Sequence, residues 1–280
     1  MTEPAPNDAP QVWGILNVTP DSFSDGGAFL DPQSAVAHAQ RLVAEGAHVI
    51  DVGGESTRPG STPVTTAEEQ RRVLPVVSAL TAVGIRVSID TMHAATAAAS
   101  VGAGAVIVND VSGGLADAAM LETVAGLDVD YVAMHWRGPA STWDAVSDYR
   151  DVVAEVHDEL RSRRDAAHAA GISPERLWLD PGLGFAKHAD DTWRLLRGLP
   201  ELADLECRLL VGASRKRFLA TLLPAEHRVE ERDLPTAVVS VLAAESGAAA
   251  VRVHDVRSTS VALATRSAWH GSSTTARVTA

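Results

Sequence analysis

Short runs of valine, isoleucine and leucine alternate along this chain with longer stretches whose apolar residues recur every third or fourth position. The runs Val12–Val18, His48–Gly53, Arg86–Asp90, Val106–Asp110, Tyr131–His135, Leu177–Asp180, Arg208–Gly212 and Ala249–Asp255 are mostly continuous, as in strands buried on both faces. Between them, Gln33–Glu45 sets Ala35, Val36, Ala39, Leu42 and Val43 on one helical stripe, and Gly46 follows as a stop signal. Asp148–Ala170 is the longest helical stretch, with Val152, Val153, Val156 and Leu160 opposite a charged face. Eight strands alternating with helices over roughly 250 residues predict an α/β fold, a single (β/α)8 TIM barrel. The predicted domain covers 11–270, between flexible tails at 1–10 and 271–280. An open doubly wound sheet is the alternative. It would usually carry a glycine fingerprint after its first strand, and Gly14-Ile15-Leu16-Asn17 is not one. Trp136–Ser147 and Leu223–Leu234 read as insertions.

Polar residues gather at one end of this pattern. Asn17, Asp51, Asp90, Asn109, Asp110, His135, Asp180, Ser214, His254 and Asp255 all fall at or just past the C-terminal ends of predicted strands. Each could be a structural cap. Together they point to the mouth of the barrel, where such folds build their sites and where a ligand can satisfy groups costly to bury alone. The first of them opens the segment Asn17–Gly27, a loop of carboxylates, hydroxyls and glycines far longer than a turn requires.

Charge and cysteine content narrow the partners. A formal net charge of -12 argues against nucleic acid or an anionic membrane surface. An anionic substrate therefore needs a local cluster of Arg, Lys and His. The single cysteine, Cys207, excludes an intrachain disulfide and a cysteine-rich metal site, which fits a reducing cytosol and a cytoplasmic location. Met1–Pro10 lacks the basic and apolar regions of a signal peptide, and Ala237–Val253 is interrupted by Glu245 and Arg252. A soluble protein that acts on small molecules is expected.

Specific segments carry a resemblance. Asn17–Gly27, Gly53-Gly54-Glu55-Ser56-Thr57-Arg58-Pro59-Gly60, Ser88-Ile89-Asp90-Thr91 and Asn109-Asp110-Val111-Ser112-Gly113-Gly114 resemble dihydropteroate synthases. So do Met134-His135, Leu179-Asp180-Pro181-Gly182-Leu183-Gly184-Phe185, Gly212-Ala213-Ser214-Arg215-Lys216 and Arg252-Val253-His254-Asp255. The match runs in order over nearly the whole chain, and the actinobacterial members are similar in the Met134-His135-Trp136-Arg137 run. The family joins a dihydropterin methyl diphosphate to p-aminobenzoate, releasing diphosphate.

The resemblance implies a set of roles. Asp180 would accept the paired N–H donors of the pterin's amino-pyrimidine edge, a job that suits a carboxylate. Asp90 and Asn109 would read other ring nitrogens, Lys216 the oxo edge, Met134 and Phe185 the ring faces, and Gly212 would border the same pocket. Asn17, Thr57, Arg58, Arg252 and His254 would hold the diphosphate, with Mg²⁺ on the neutral oxygen of Asn17. Phe23 and Pro59 would wall the p-aminobenzoate site, and Ser214, Arg217 and a helix N-terminus beside them would take its carboxylate. Asp21, Asp25, Arg58 and Lys216 are the candidate catalytic groups of a dissociative reaction, in which the two aspartates offset positive charge on the dihydropterin. Sulfonamides, which mimic p-aminobenzoate, are expected to inhibit.

Some positions depart from the pattern. His93 stands where Lys or Arg is frequent, Ala186 where a second glycine is usual, and Thr192 where an Asn is usual. The family commonly forms homodimers through helices of the C-terminal half, for which the alanine-rich Ala237–Ala250 is a candidate surface. Other readings of the same residues are a pterin-binding methyltransferase, a noncatalytic pterin-diphosphate binder, and a Lys216 Schiff-base aldolase.

Overall fold

Each predicted run becomes a parallel strand. The computed structural model describes residues 9–18, 32–55 and 64–271. The strands are β1 (Gln11–Asn17), β2 (Val49–Gly53), β3 (Val87–Asp90), β4 (Ile107–Asp110), β5 (Asp130–Met134), β6 (Leu177–Asp180), β7 (Arg208–Val211) and β8 (Ala250–Val253). They close into one barrel in chain order. The seam pairs Gln11 with Ala250 and Gly14 with Val253. The expected tails lie outside the described residues, apart from Ala9, Pro10 and Gly271.

The outer layer holds α1 (Pro32–Ala44), α2 (Thr66–Ala82), α3 (Ala94–Gly102), α4 (Met120–Ala125), the single turn α5 (Trp143–Val146), α6 (Val152–Ala169), α7 (Ala189–Arg197), α8 (Asp233–Glu245) and α9 (Val256–Trp269). The longest, α6, starts later than its charge pattern suggests because Asp151 caps it, accepting from the N–H groups of Val153 and Ala154. Trp136–Ser147, expected as an insertion, contains α5 and a short 3-10 turn at Ala140–Thr142. Among the described residues, no helix is long and apolar enough to cross a membrane.

Nearly every strand residue is buried, and the two-residue alternation divides the apolar ones between two clusters. Trp13, Val49, Ile107, Val132, Trp178, Leu210 and Ala250 form a plug at the N-terminal end of the barrel interior. There the Trp13 and Trp178 rings lie 5.5 Å apart. Both indoles find acceptors, Trp13 on Gln11 Oε1 and Trp178 on Asp130 Oδ2, as buried N–H groups require. The alternate residues face outward and join the larger apolar layer between barrel and helices. Two residues further along each strand, the same inward direction brings up Asp51, Asn109, Met134, Asp180, Gly212 and Arg252. The barrel interior therefore turns from apolar to polar within one pleat.

Candidate active site

The polar layer is organised by one guanidinium. Arg252 donates from Nε to Asp51 Oδ2 at 2.5 Å and from Nη2 to Asp90 Oδ2 at 2.7 Å. Asn109 Nδ2 donates to the same Asp51 oxygen at 3.1 Å. The two carboxylates hold the Arg252 guanidinium charged, above its ordinary range, against the cost of burial. Burial pushes Asp90 up to about 7, and the nearby Asp51, Glu69 and Asp110 add to the push while Arg252 opposes it. Asp51 Oδ1 is buried without a hydrogen-bond partner among the described residues. An acceptor left bare inside a barrel is costly unless a ligand donor reaches it. Asp90 does not cap α3; the first helical N–H, at Ala94, is bonded instead by Asp117.

Across the barrel, Asp180 divides its two oxygens between structure and site. Oδ1 accepts the Gly182 N–H at 2.7 Å and closes the turn after β6. That turn requires glycine, because Gly182 has φ +66 and a Cβ there would stand 2.5 Å from the His135 carbonyl oxygen. Oδ2 is turned toward Gly212: a Cβ on Gly212 would lie 3.6 Å from it and 3.9 Å from Lys216 Nζ. The missing side chain leaves room where an acceptor and a donor converge. Burial raises the Asp180 carboxyl, and Lys216 partly offsets that. Burial lowers Lys216 to about 8, against the pull of Asp180. Its ammonium stands 4.7 Å over the Phe185 ring, which meets Trp143 edge-on at 5.3 Å. Met134 is buried and pairs with Asp180 in the sheet register.

The third inward layer holds Asn17, Gly53, Asp90, Ser214 and His254 at the rim. Ser214 Oγ accepts the His254 backbone N–H at 3.0 Å and lies 2.8 Å from His254 Nδ1. The expected α-helix start beyond Ser214 is replaced by a six-residue 3-10 segment, Arg217–Leu222. Its first N–H groups, like those of an α-helix, have no partner within the segment. Arg217 itself is exposed, and Arg215 is tied to Asp233 by two bonds of 2.7 and 2.8 Å. Arg252, expected on the diphosphate, has two of its donor nitrogens on the Asp51 and Asp90 carboxylates. Asp21, Phe23, Asp25, Thr57, Arg58 and Pro59 lie outside the described residues.

Among the described residues, two groups could hold a metal. Glu55, Glu69 and His93 bring ligand atoms within 4.8 Å of one another. There, His93 Nδ1 already meets Glu69 Oε2 at 3.0 Å. This nitrogen-containing set suits a transition ion better than Mg²⁺. Nearer the mouth, Asn17 Oδ1 and Asp90 Oδ2 each lie 3.6 Å from the point a Gly53 Cβ would occupy. These are hard oxygen donors of the kind Mg²⁺ accepts.

Sequence reasoning placed Asp51 at the barrel mouth without giving it a role, and it gave Lys187 none. The signal for Asp51 lay in parity: it sits two residues from Gly53 and so shares the inward direction of the site. Lys187 gave no such signal, because it belongs to a loop. The departures are local. Buried Ala186 takes φ +45, a conformation that favours glycine. Buried Thr192 donates to the His188 carbonyl one turn back.

Residues 13–254 match the model of the pterin-binding enzyme family. The dihydropteroate synthase of Mycobacterium leprae is 52% identical over 265 residues, 92% of this chain and 93% of the relative. The chain belongs to the dihydropteroate synthase family. It is thereby a transferase of folate synthesis. Among solved dihydropteroate synthases, that of Xanthomonas albilineans with 4-aminobenzoic acid superposes with a TM-score of 0.87 at 45% identity, covering 94% of both chains. A second structure of it, with 7,8-dihydropterοate bound, gives a TM-score of 0.84 at 43% identity over the same shares.

Proposed function

We propose that this dihydropteroate synthase barrel binds the pterin across its polar layer, with Asp180 Oδ2 and Lys216 Nζ on one edge. Asp90, Asn109 and Asp51 stand on the other. The observation that carries the reading is the convergence of Asp180 and Lys216 on the space above Gly212. A carboxylate oxygen there accepts an N–H of the amino-pyrimidine edge, and the ammonium donates to its oxo group. Met134 and Phe185 border the ring faces. The substrates are (7,8-dihydropterin-6-yl)methyl diphosphate and p-aminobenzoate, the products 7,8-dihydropteroate and diphosphate. The relative solved with 7,8-dihydropteroate supports this assignment.

The proposed mechanism is dissociative. The bond between the methylene carbon and the diphosphate oxygen breaks, and its electron pair leaves with diphosphate. The carbon's positive charge spreads into the electron-rich dihydropterin ring, where Asp21 and Asp25 offset it. The amine of p-aminobenzoate then forms the C–N bond and releases a proton to solvent. Fixed charges and positioning account for catalysis without a covalent nucleophile. Asn17, Thr57, Arg58 and His254 hold the leaving anion. Arg252 orders Asp51 and Asp90 and turns its remaining donors to the same anion. Asn17 would hold Mg²⁺ through its neutral side-chain oxygen, and the ion would supply positive charge to the leaving group. Phe23, Pro59, Ser214 and exposed Arg217 receive p-aminobenzoate and its carboxylate.

The assembly proposed is a homodimer. Leu234, Val238 and Leu242 recur every fourth residue along α8 and are 72, 51 and 56% exposed. On the adjoining α9, Val261 and Trp269 are exposed as well. An apolar stripe of this kind is suited to a partner surface. The cytosol, where free Cys207 stays reduced, is the proposed compartment.

Mass spectrometry of a reaction containing both substrates tests the assignment. Dihydropteroate should appear only with p-aminobenzoate present, with at least one diphosphate released for each, and faster with Mg²⁺. A reaction with both substrates that yields no dihydropteroate would overturn the assignment.

A further inference from the structure

Lys187 is buried at the back of the pterin pocket, and its ammonium faces three acceptors, none of them a carboxylate. Nζ donates to the Gly182 carbonyl at 3.0 Å, to the Phe185 carbonyl at 3.1 Å and to His135 Nδ1 at 2.9 Å. The protons on the other side of this chain are also determined. His135 Nε2 lies 3.0 Å from Glu159 Oε2, out of line for a well-formed hydrogen bond but in close contact with an atom that only accepts. Nε2 therefore carries the ring proton and Nδ1 the lone pair. Burial, with Lys187 beside it, holds His135 down to about 4, so the ring is neutral near pH 7. Glu159 is in turn anchored by Arg137 Nε at 3.0 Å.

The geometry points to Lys187 as a positioning residue for pterin recognition. Its three N–H groups gather two carbonyls of the Asp180–Phe185 segment onto His135, which aims the Asp180 carboxylate and the Phe185 ring. The inference rests on the pterin reading above. Three acceptors need three donors, and only the charged amine has three. Loss of one proton leaves a buried acceptor bare and loosens the loop. Burial brings Lys187 down to about 7, so that loss falls near neutrality. The charges facing it are Lys216 and Arg137, which favour deprotonation, and Asp180 and Glu159, which oppose it. The Tyr149 ring, 5.9 Å away, packs on the same ammonium.

Calorimetric binding of 6-hydroxymethyl-7,8-dihydropterin between pH 6 and 9 tests this without metal, diphosphate or p-aminobenzoate. Asp90 ionises near 7 in every variant, so the Lys187 step is read as the wild-type affinity relative to Lys187→Met. That ratio should fall as pH rises through about 7, and both proteins should show a second fall near 8 from Lys216. Glu159→Gln, which removes a supporting negative charge, should move the first fall to lower pH by about half a unit. The second fall should stay, because Asp180, Arg252 and Asp90 are the charges acting on Lys216. Lys187→Met should bind about tenfold more weakly at pH 6, a loss of about 1.4 kcal/mol, and lack the first fall. Melting temperatures confirm folding; where Lys187→Met does not fold, the shift in Glu159→Gln decides alone. Wild-type affinity in Lys187→Met, or an unmoved first fall in Glu159→Gln, overturns the role of Lys187 and leaves the pterin site standing. A wild-type protein that binds no pterin at any pH overturns the pterin reading and this role with it.

Discussion

Arg252 on the last strand donates to Asp90 on the third at 2.7 Å, across 162 residues of sequence. Asp51 shares the same guanidinium, so one positive charge faces two buried carboxylates. The imbalance has a consequence for stability. Asp90 is raised from 3.8 to about 7, chiefly by burial, so the folded chain keeps a proton there that the unfolded chain releases. The contribution is full below pH 4 and disappears as pH rises through 7. Asp90→Asn should match the wild type near pH 3.5 and melt higher at pH 7.5, while binding pterin more weakly. Thermal melts across that range check the sign; a variant that melts lower at pH 7.5 contradicts it.

Asp180→Asn separates fold from recognition. The side-chain oxygen that accepts the Gly182 N–H survives the substitution, but Oδ2 becomes an NH2 group facing ligand donors. A hydrogen bond to a charged group contributes about 1.5–3 kcal/mol, so pterin affinity should fall by roughly 10- to 100-fold. Calorimetry gives the affinity and a melt shows the fold unchanged. Equal affinity removes Asp180 from the pocket.

Gly182→Ala should do what Asp180→Asn does not. A Cβ at φ +66 is strained by about 1–2 kcal/mol before it meets the His135 carbonyl at 2.5 Å. The turn after β6 must move, and Asp180 and Lys187 move with it. Stability should drop by at least about 2 kcal/mol, and pterin binding should weaken in parallel. Urea unfolding alongside calorimetry measures both; an unchanged unfolding midpoint would count against the strain.

Leu242→Glu probes the stripe on α8. The side chain is 56% exposed, so the fold should tolerate the change. A charge there would be buried against an apolar partner surface. Light scattering after size exclusion should report a dimer for the wild type and a monomer for the variant. A wild-type monomer would discard the interface.

The barrel was legible along the chain because its evidence is local. Eight continuous apolar runs, each followed by an amphipathic stretch, leave few alternatives once a parallel sheet must be covered on its outer face. The strand-end carboxylates and amides pointed to the correct end of the barrel for the same reason. Their family resemblance supplied roles that periodicity could not. Individual partnerships were hidden. Asp51 looked like one acidic residue among many until closure of the barrel placed it against Arg252, 201 residues away. Ser214 was expected to open an α-helix, but the chain takes a 3-10 turn and Ser214 binds His254 instead. Lys187 had no periodic signal at all; only the folded loop brings two carbonyls and His135 around it. Periodicity in one dimension determines which elements form and which face each buries. Who meets whom across the barrel depends on register and closure, which sum over contacts far apart in sequence. That is why the fold could be read from the chain, while the charge pairing at its centre was decided only in three dimensions.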